Sequence, residues 1–230
     1  MAVLRRWKGL REITKVDFFC MKDIIIVGAS GFGRELVQWI EDINKVDPQW
    51  NILGFIDDNP NALDGCRCDY AIIGSIKDWM PKETEYFACA LAFPEVKCKV
   101  VTMLKDKGAQ FATLIHPTAL INKYAEIGEG VVITPRSNVN ADAKVGDFVS
   151  ILGSGIGHDA NVGDWSTLSG RCSINGHVTI GKKVYVACGV CIAPSKKVGD
   201  GATIGMGRVV INNVKAGTTV FGNPAKRIDI

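Results

Sequence analysis

The 230-residue chain has only three histidines, His116, His158 and His177, and an acid, Asp159, directly follows the second. A histidine titrates near neutrality, so it can take a proton from an attacking amine or hydroxyl. A carboxylate beside it can fix the imidazole tautomer and raise its basicity. His158 is therefore the candidate general base and Asp159 its orienting partner; the alternative is a surface histidine in a loop. Gly176 stands three hexads beyond His158, and its backbone N–H is a candidate donor to a developing oxyanion. No G-x-S-x-G elbow is present to suggest a covalent serine route.

A second chemical feature is the run Gly28-Ala29-Ser30-Gly31-Phe32-Gly33, set between a strand pattern and a helix pattern. Backbone N–H groups at such a helix start can hold a phosphate. A dinucleotide fingerprint has GxGxxG and an acid about 20 residues on. Here the spacing is GxxGxG and the first acid after the next strand pattern, Asp57, lies well beyond that distance, so NAD is not expected. Asp57 and Asp58 close that strand pattern, where carboxylates can take a ribose hydroxyl or a base N–H. A purely structural glycine turn is the alternative. Metal is not expected: Cys66-x-Cys68 and Cys188-x-x-Cys191 fall in different halves and neither has a second pair. The spacing of His116, His158 and His177 does not supply a three-histidine set either.

These residues need elements to position them. From residue 21 to about 112 the pattern alternates strand and helix, as in a small α/β domain with a parallel sheet. Strands are predicted at Asp23–Val27, Ile52–Ile56, Tyr70–Gly74, Tyr86–Leu91 and Phe111–Ile115. Helices are predicted at Gly33–Ile43, facing the sheet with Leu36, Val37 and Ile40, and at Glu95–Lys107, facing it with Val96, Val100, Val101 and Leu104.

From Ile115 the period changes. Aliphatic residues recur every six positions through Ile121, Ile127, Ile133, Val139, Val145 and Ile151; after one five-residue step the series resumes at Ile156 and continues to Val210. Four residues after many of them stands a small or β-branched residue, such as Val131, Ser137, Ala143, Ala160 or Cys172. A period of six is neither 3.6 nor 2. It marks a parallel β-helix of hexapeptide repeats, three units to a triangular coil of about 18 residues. The aliphatic residue points inward. Glycines such as Gly128, Gly146, Gly157 and Gly163 are expected at the corners because they tolerate positive φ. The one-residue slip just before His158 re-aims side chains there, as a bulge does in a sheet.

Composition narrows the partners. The net charge of +3 resides wholly in residues 1–20, a basic leader, and the rest of the chain is balanced. A neutral body argues against nucleic acid as a partner. The leader is read either as a short helix resting on anionic lipid or as a segment outside the fold. No apolar run is long enough for a membrane span. Eight cysteines, mostly inside apolar runs, with no secretory signal, point to reduced thiols and a cytoplasmic location.

Taken together, Val27-Gly28-Ala29-Ser30-Gly31-Phe32-Gly33-Arg34-Glu35, Phe55-Ile56-Asp57-Asp58, the hexapeptides and Gly222-Asn223-Pro224-Ala225-Lys226 carry a resemblance. Over residues 21–230 the chain resembles the bacterial sialic acid O-acetyltransferases and UDP-4-amino-sugar N-acetyltransferases. The resemblance implies a Rossmann-like subdomain (21–112) that holds a nucleotide sugar, followed by a left-handed β-helix (113–230). It also implies a homotrimer with acetyl-CoA between neighbouring β-helices, and it supports the base role of His158. Thr167 stands where relatives often have a second, cofactor-contacting histidine. Cys188, Gly205 and Met206 fall at positions that line the pantetheine arm. Lys226, with Lys196, Lys197 and Arg208, is expected to meet CoA phosphates. Gly31, Phe32, Gly33, Asp57, Asp58 and Gly74 are expected to bind the UDP sugar, although many relatives have histidine in place of Phe32. The activity implied is acetylation of a nucleotide-linked amino sugar for surface glycan. The rivals are O-acetylation of sialic acid or a related sugar, and a catalytically idle nucleotide-sugar-binding trimer.

Overall fold

The computed structural model describes residues 21–228, so the leader at 1–20 lies outside the described residues. The first unit is built from β1 (Lys22–Val27), α1 (Gly31–Val46), β2 (Trp50–Ile56), β3 (Ile72–Gly74), β4 (Glu85–Cys89), α2 (Pro94–Asp106) and β5 (Gln110–Phe111). The strands form one parallel sheet in the order β3-β2-β1-β4-β5. Ile24, Ile25, Ile26 and Val27 are all buried because the sheet is covered on both faces. Ile24 and Ile26 pack with Leu36 and Ile40 of α1, while Ile25 and Val27 pack with Val101 and Leu104 of α2.

The buried stripe of α2 differs from the predicted one. Val96 is half exposed, and the position facing inward is Lys97, which shares its stripe with Val101 and Leu104 at i+4 and i+7. Charge can sit there because the ammonium has three donors and finds three acceptors. Lys97 Nζ donates to Thr167 Oγ1 (2.9 Å), Ser150 Oγ (3.0 Å) and the Ser166 carbonyl (3.2 Å). None of the three is charged, and burial pushes the Lys97 pKa down to about 8. The unfolded chain then holds more protons than the folded one between about pH 8 and the ordinary lysine value. Stability should therefore rise with pH across that window, and below it the buried charge costs about 3 kcal/mol. Lys97→Met should remove this dependence. Urea unfolding from pH 7 to 10 should show the wild-type-minus-variant difference growing by about 2 kcal/mol or more; a pH-independent difference would contradict the assignment.

The second unit is a triangular prism. Its first face stacks Leu114–Ile115, Val132–Ile133, Ser150–Ile151, Thr167–Leu168, Tyr185–Val186, Thr203–Ile204 and Thr219–Phe221, with Lys226–Ile228 added antiparallel. The second face runs from Leu120–Ile121 to Val209–Val210 and the third from Glu126–Ile127 to Lys197–Val198. The six-residue series from Ile133 onward fills the interior, and the small residues four positions later are buried beside it. Ile115 is an exception at 36% exposure, because no coil among the described residues stacks beyond it. The slip before His158 appears as a shortened coil. Val139 pairs with Ile156 and Val145 with Val162, each spacing one position less than that of Leu168 with Val186.

The glycines that directly follow the inward aliphatic have a different reason from the expected one. The left-handed residue of most corners comes three positions after the inward aliphatic (Gly153, at the slip, comes two after Ile151), and most are not glycine: Asp142, Asp159, Trp165, His177 and Lys183 among them. Gly157 and Gly163, one position after the aliphatic, have ordinary φ. They are glycine because a Cβ would come within 2.6 Å of the next coil's backbone, at Asn175 and Gly181. Steric stacking selects these two, whereas the positive φ expected of corner glycines is found at others, such as Gly130, Gly189 and Gly207, and is shared with non-glycine residues.

The α/β unit covers the first face and the corner joining the third face to it. Phe111 meets Phe148 edge-on, Phe148 stacks on Trp165 (4.6 Å), and Lys183 pairs with Glu95 at 3.1 Å. Buried His116 ties the two units on the α1 side, with Nε2 3.3 Å from Asp42.

Candidate active site at a β-helix corner

His158 sits at the corner joining the second and third faces, between Gly155–Ile156 and Asn161–Val162. Its side chain is 60% exposed, and Nδ1 lies 2.8 Å from Asp159 Oδ2. A carboxylate accepts, so Nδ1 is the donor of this pair, and in the neutral ring Nε2 is the acceptor. Asp159 holds φ at 56°, which turns its carboxylate back onto the preceding imidazole.

The next coil makes the seat. A Cβ on Gly176 would fall 2.6 Å from His158 Nε2, so the ring lies directly over this glycine. Any larger residue there would displace the imidazole. Among the described residues the Gly176 N–H donates no hydrogen bond. Around them runs a groove of about 380 Å³, lined by Asn138, Asn140, Ser173, Asn175, His177 and Pro194.

His177 is the site residue that the sequence pattern does not single out. It stands one coil after Asp159, its ring edge-on to His158 at 5.1 Å and its Nε2 3.8 Å from Asp159 Oδ2. Counting one full coil on from Asp159 is the signal that finds it. His158, Asp159 and His177 bring one ligand atom each within 4.8 Å of one another, which makes them the group among the described residues able to hold a metal ion. Histidine spacing alone does not reveal this grouping, because it leaves the carboxylate out.

The expected cofactor residues fall elsewhere. Cys188 and Met206 are exposed at the same level of successive coils, on the corner joining the first and second faces. Gly205 beside them is glycine because a Cβ would strike the Phe221 ring. Arg208 lies over that ring at 4.6 Å, with its Nε buried and unpartnered, and exposed Lys226 is backbone-paired with Phe221. Lys196 and Lys197 do not join them, because they belong to the His158 corner and the third face. Thr167 requires a correction. It has no exposed surface and accepts from Lys97 under the α/β unit, so it cannot touch a cofactor.

Gly31, Phe32, Gly33, Asp57, Asp58 and Gly74 gather at the carboxyl ends of β1, β2 and β3. The N–H groups of Gly31, Phe32 and Gly33 open α1, and no acid occupies its first turn. Gly33 is where the helix crosses the Gly28 carbonyl, leaving no room for a Cβ. Asp57 is busier than expected: Oδ2 accepts from the Ala29 N–H and Oδ1 from the Asn59 N–H, both at 2.8 Å. Its first task is thus to shape the glycine turn. Asp58 Oδ1 accepts from the Lys77 N–H (3.1 Å), and Gly74 packs under Trp79. Within one chain, then, the base, the exposed Cys188–Met206 corner and the α/β crevice are set on different sides of the prism.

Residues 23–104 match the family model described as the PglD N-terminal domain. The chain is 30% identical over 212 residues to a GDP-perosamine N-acetyltransferase of Escherichia coli O157:H7, covering 88% of this chain and 95% of that protein. It superposes on WeeI of Acinetobacter baumannii AYE with TM-score 0.78 at 30% identity, over 89% of this chain and 99% of the other. PerB of Caulobacter crescentus, solved with CoA and GDP-perosamine, gives TM-score 0.81 at 21% identity over 90% and 97% of the two chains. The architecture is thus a Rossmann-like subdomain followed by a left-handed parallel β-helix. On sequence and fold together, the chain belongs to the hexapeptide-repeat sugar acetyltransferases, the family that includes the GDP-perosamine N-acetyltransferases.

Proposed function

We propose that the protein transfers the acetyl group of acetyl-CoA to the amino group of a nucleotide-linked amino sugar. The observation that carries this reading is the His158–Asp159 pair, with Nδ1 on the carboxylate and Nε2 over Gly176 in an open polar groove. Nε2 takes the proton of the attacking amine, and the amine nitrogen adds to the thioester carbonyl. The Gly176 N–H donates to the resulting oxyanion. The C–S bond then breaks, and the imidazolium returns its proton to the departing thiolate.

Cys188, Gly205 and Met206 are assigned to the pantetheine arm and Arg208 and Lys226 to the CoA phosphates. The nucleotide sugar is assigned to Gly31, Phe32, Gly33, Asp57, Asp58 and Gly74. Because these groups lie apart within one chain, the working unit is a homotrimer in which neighbouring copies complete each site. A UDP sugar is the acceptor that the family resemblance implies, and the E. coli relative is named for a GDP sugar. The test is the product. Incubation with acetyl-CoA and UDP- or GDP-linked 4-amino hexoses should add one acetyl mass, in a linkage that resists hydroxylamine. A hydroxylamine-labile ester would move the protein to the O-acetylating branch.

A further inference from the structure

The order of the sheet assigns a place to each part of a nucleotide sugar. The order in which the parallel strands are added reverses between β1 and β4, and ligands of open parallel sheets bind outside the carboxyl ends at such a switch point. The phosphate-ready start of α1 follows β1. Asp57 and Asp58 follow β2 on one side of it, and Leu91, Ala92 and Phe93 follow β4 on the other. The β4 side closes on the turn between β1 and α1, where Leu91 Cδ2 would lie 3.0 Å from a Cβ on Gly28.

Phe93 is the residue the fold does not account for. It is the N-cap of α2, a position that favours a side chain able to accept from the first-turn N–H groups, and it makes no cap bond. It is 65% exposed, so it adds little to either core. Its ring is nevertheless held: Tyr185, projecting from the first face of the prism, stacks against it at 5.5 Å and 26°. The Lys183–Glu95 ion pair fastens the same helix start to the same coil. An aromatic ring backed on one face and bare on the other, at the rim of a crevice, is a platform.

We propose that Phe93, backed by Tyr185, carries the hexose ring of the nucleotide sugar. With the base on the β2 side and the diphosphate at α1, the sugar falls on the β4 side. The negative face of an aromatic ring suits the C–H-bearing face of a sugar, most of all a deoxy sugar with few hydroxyls there. Phe93 is thus a specificity-determining residue for the acceptor. This inference rests on the nucleotide-sugar reading of the α/β unit.

Calorimetric titration with the bare nucleoside diphosphate and with the matching 4-amino-sugar nucleotide separates the possibilities. Phe93→Ala, at an exposed site, should weaken the sugar nucleotide about tenfold and leave the bare diphosphate within about twofold. Phe93→Trp should restore the difference, and the KM for acetyl-CoA should not change in either variant. Equal loss for both ligands would mean that the ring stacks the base, and no loss for either would make it a domain contact only; each would overturn the proposal. Wild-type protein that binds neither ligand would overturn the nucleotide-sugar reading, and this inference with it.

Discussion

His158→Ala is expected to lower kcat by about 10²–10⁴-fold while acetyl-CoA still binds with its wild-type affinity. The large effect follows from the chemistry: an amine that adds to a thioester must shed a proton, and Nε2 is the free acceptor in the groove. The small effect on acetyl-CoA follows from position, since the proposed pantetheine contacts at Cys188 and Met206 occupy another corner of the prism. Because His158 is 60% exposed, its removal should leave the fold intact, and a thermal melt run beside the assay checks this. Asp159→Asn should cause a smaller loss, because it keeps a hydrogen-bonding partner for Nδ1 but removes the charge that favours the imidazolium. A His158→Ala variant with wild-type kcat would remove the base from the account.

Mixing two dead variants should restore activity. Cys188→Glu with Met206→Glu places two negative charges on the exposed corner assigned to the CoA arm and leaves His158 untouched. His158→Ala destroys the base and leaves that corner intact. If each site joins one copy's base to a neighbour's CoA corner, random co-assembly at equal amounts regenerates about a quarter of the wild-type sites. If each variant alone loses at least about a hundredfold, activity of the co-expressed pair should therefore exceed that of either variant by about tenfold or more. Activity no greater than the two variants summed would place base and cofactor corner in the same chain's site.

The parts legible in the sequence are those with a short repeat. The six-residue series from Ile133 to Val210 points inward as read, because a prism interior admits only such residues at that period. The α/β sheet is legible for a similar reason, through the unbroken run Ile24–Val27. Relations between coils are harder to read. His177 meets Asp159 only through a one-coil offset, and Gly157 is required by Asn175 on the next turn rather than by its own φ. Contacts between the two units leave no pattern at all. Lys97 looks like a surface lysine until Ser150, Ser166 and Thr167 close over it, and Thr167, expected beside a cofactor, is spent there. For the same reason Val96 reads as core in the sequence and Phe93 carries no signal, since a helix packed against a β-helix face has two partners to satisfy.

The most direct measurement is thiol release from acetyl-CoA with UDP- and GDP-linked 4-amino sugars offered beside free sialic acid. Turnover is expected with an amino-sugar nucleotide, and only background release with hydroxyl acceptors alone. Turnover confined to hydroxyl acceptors would contradict the proposed function.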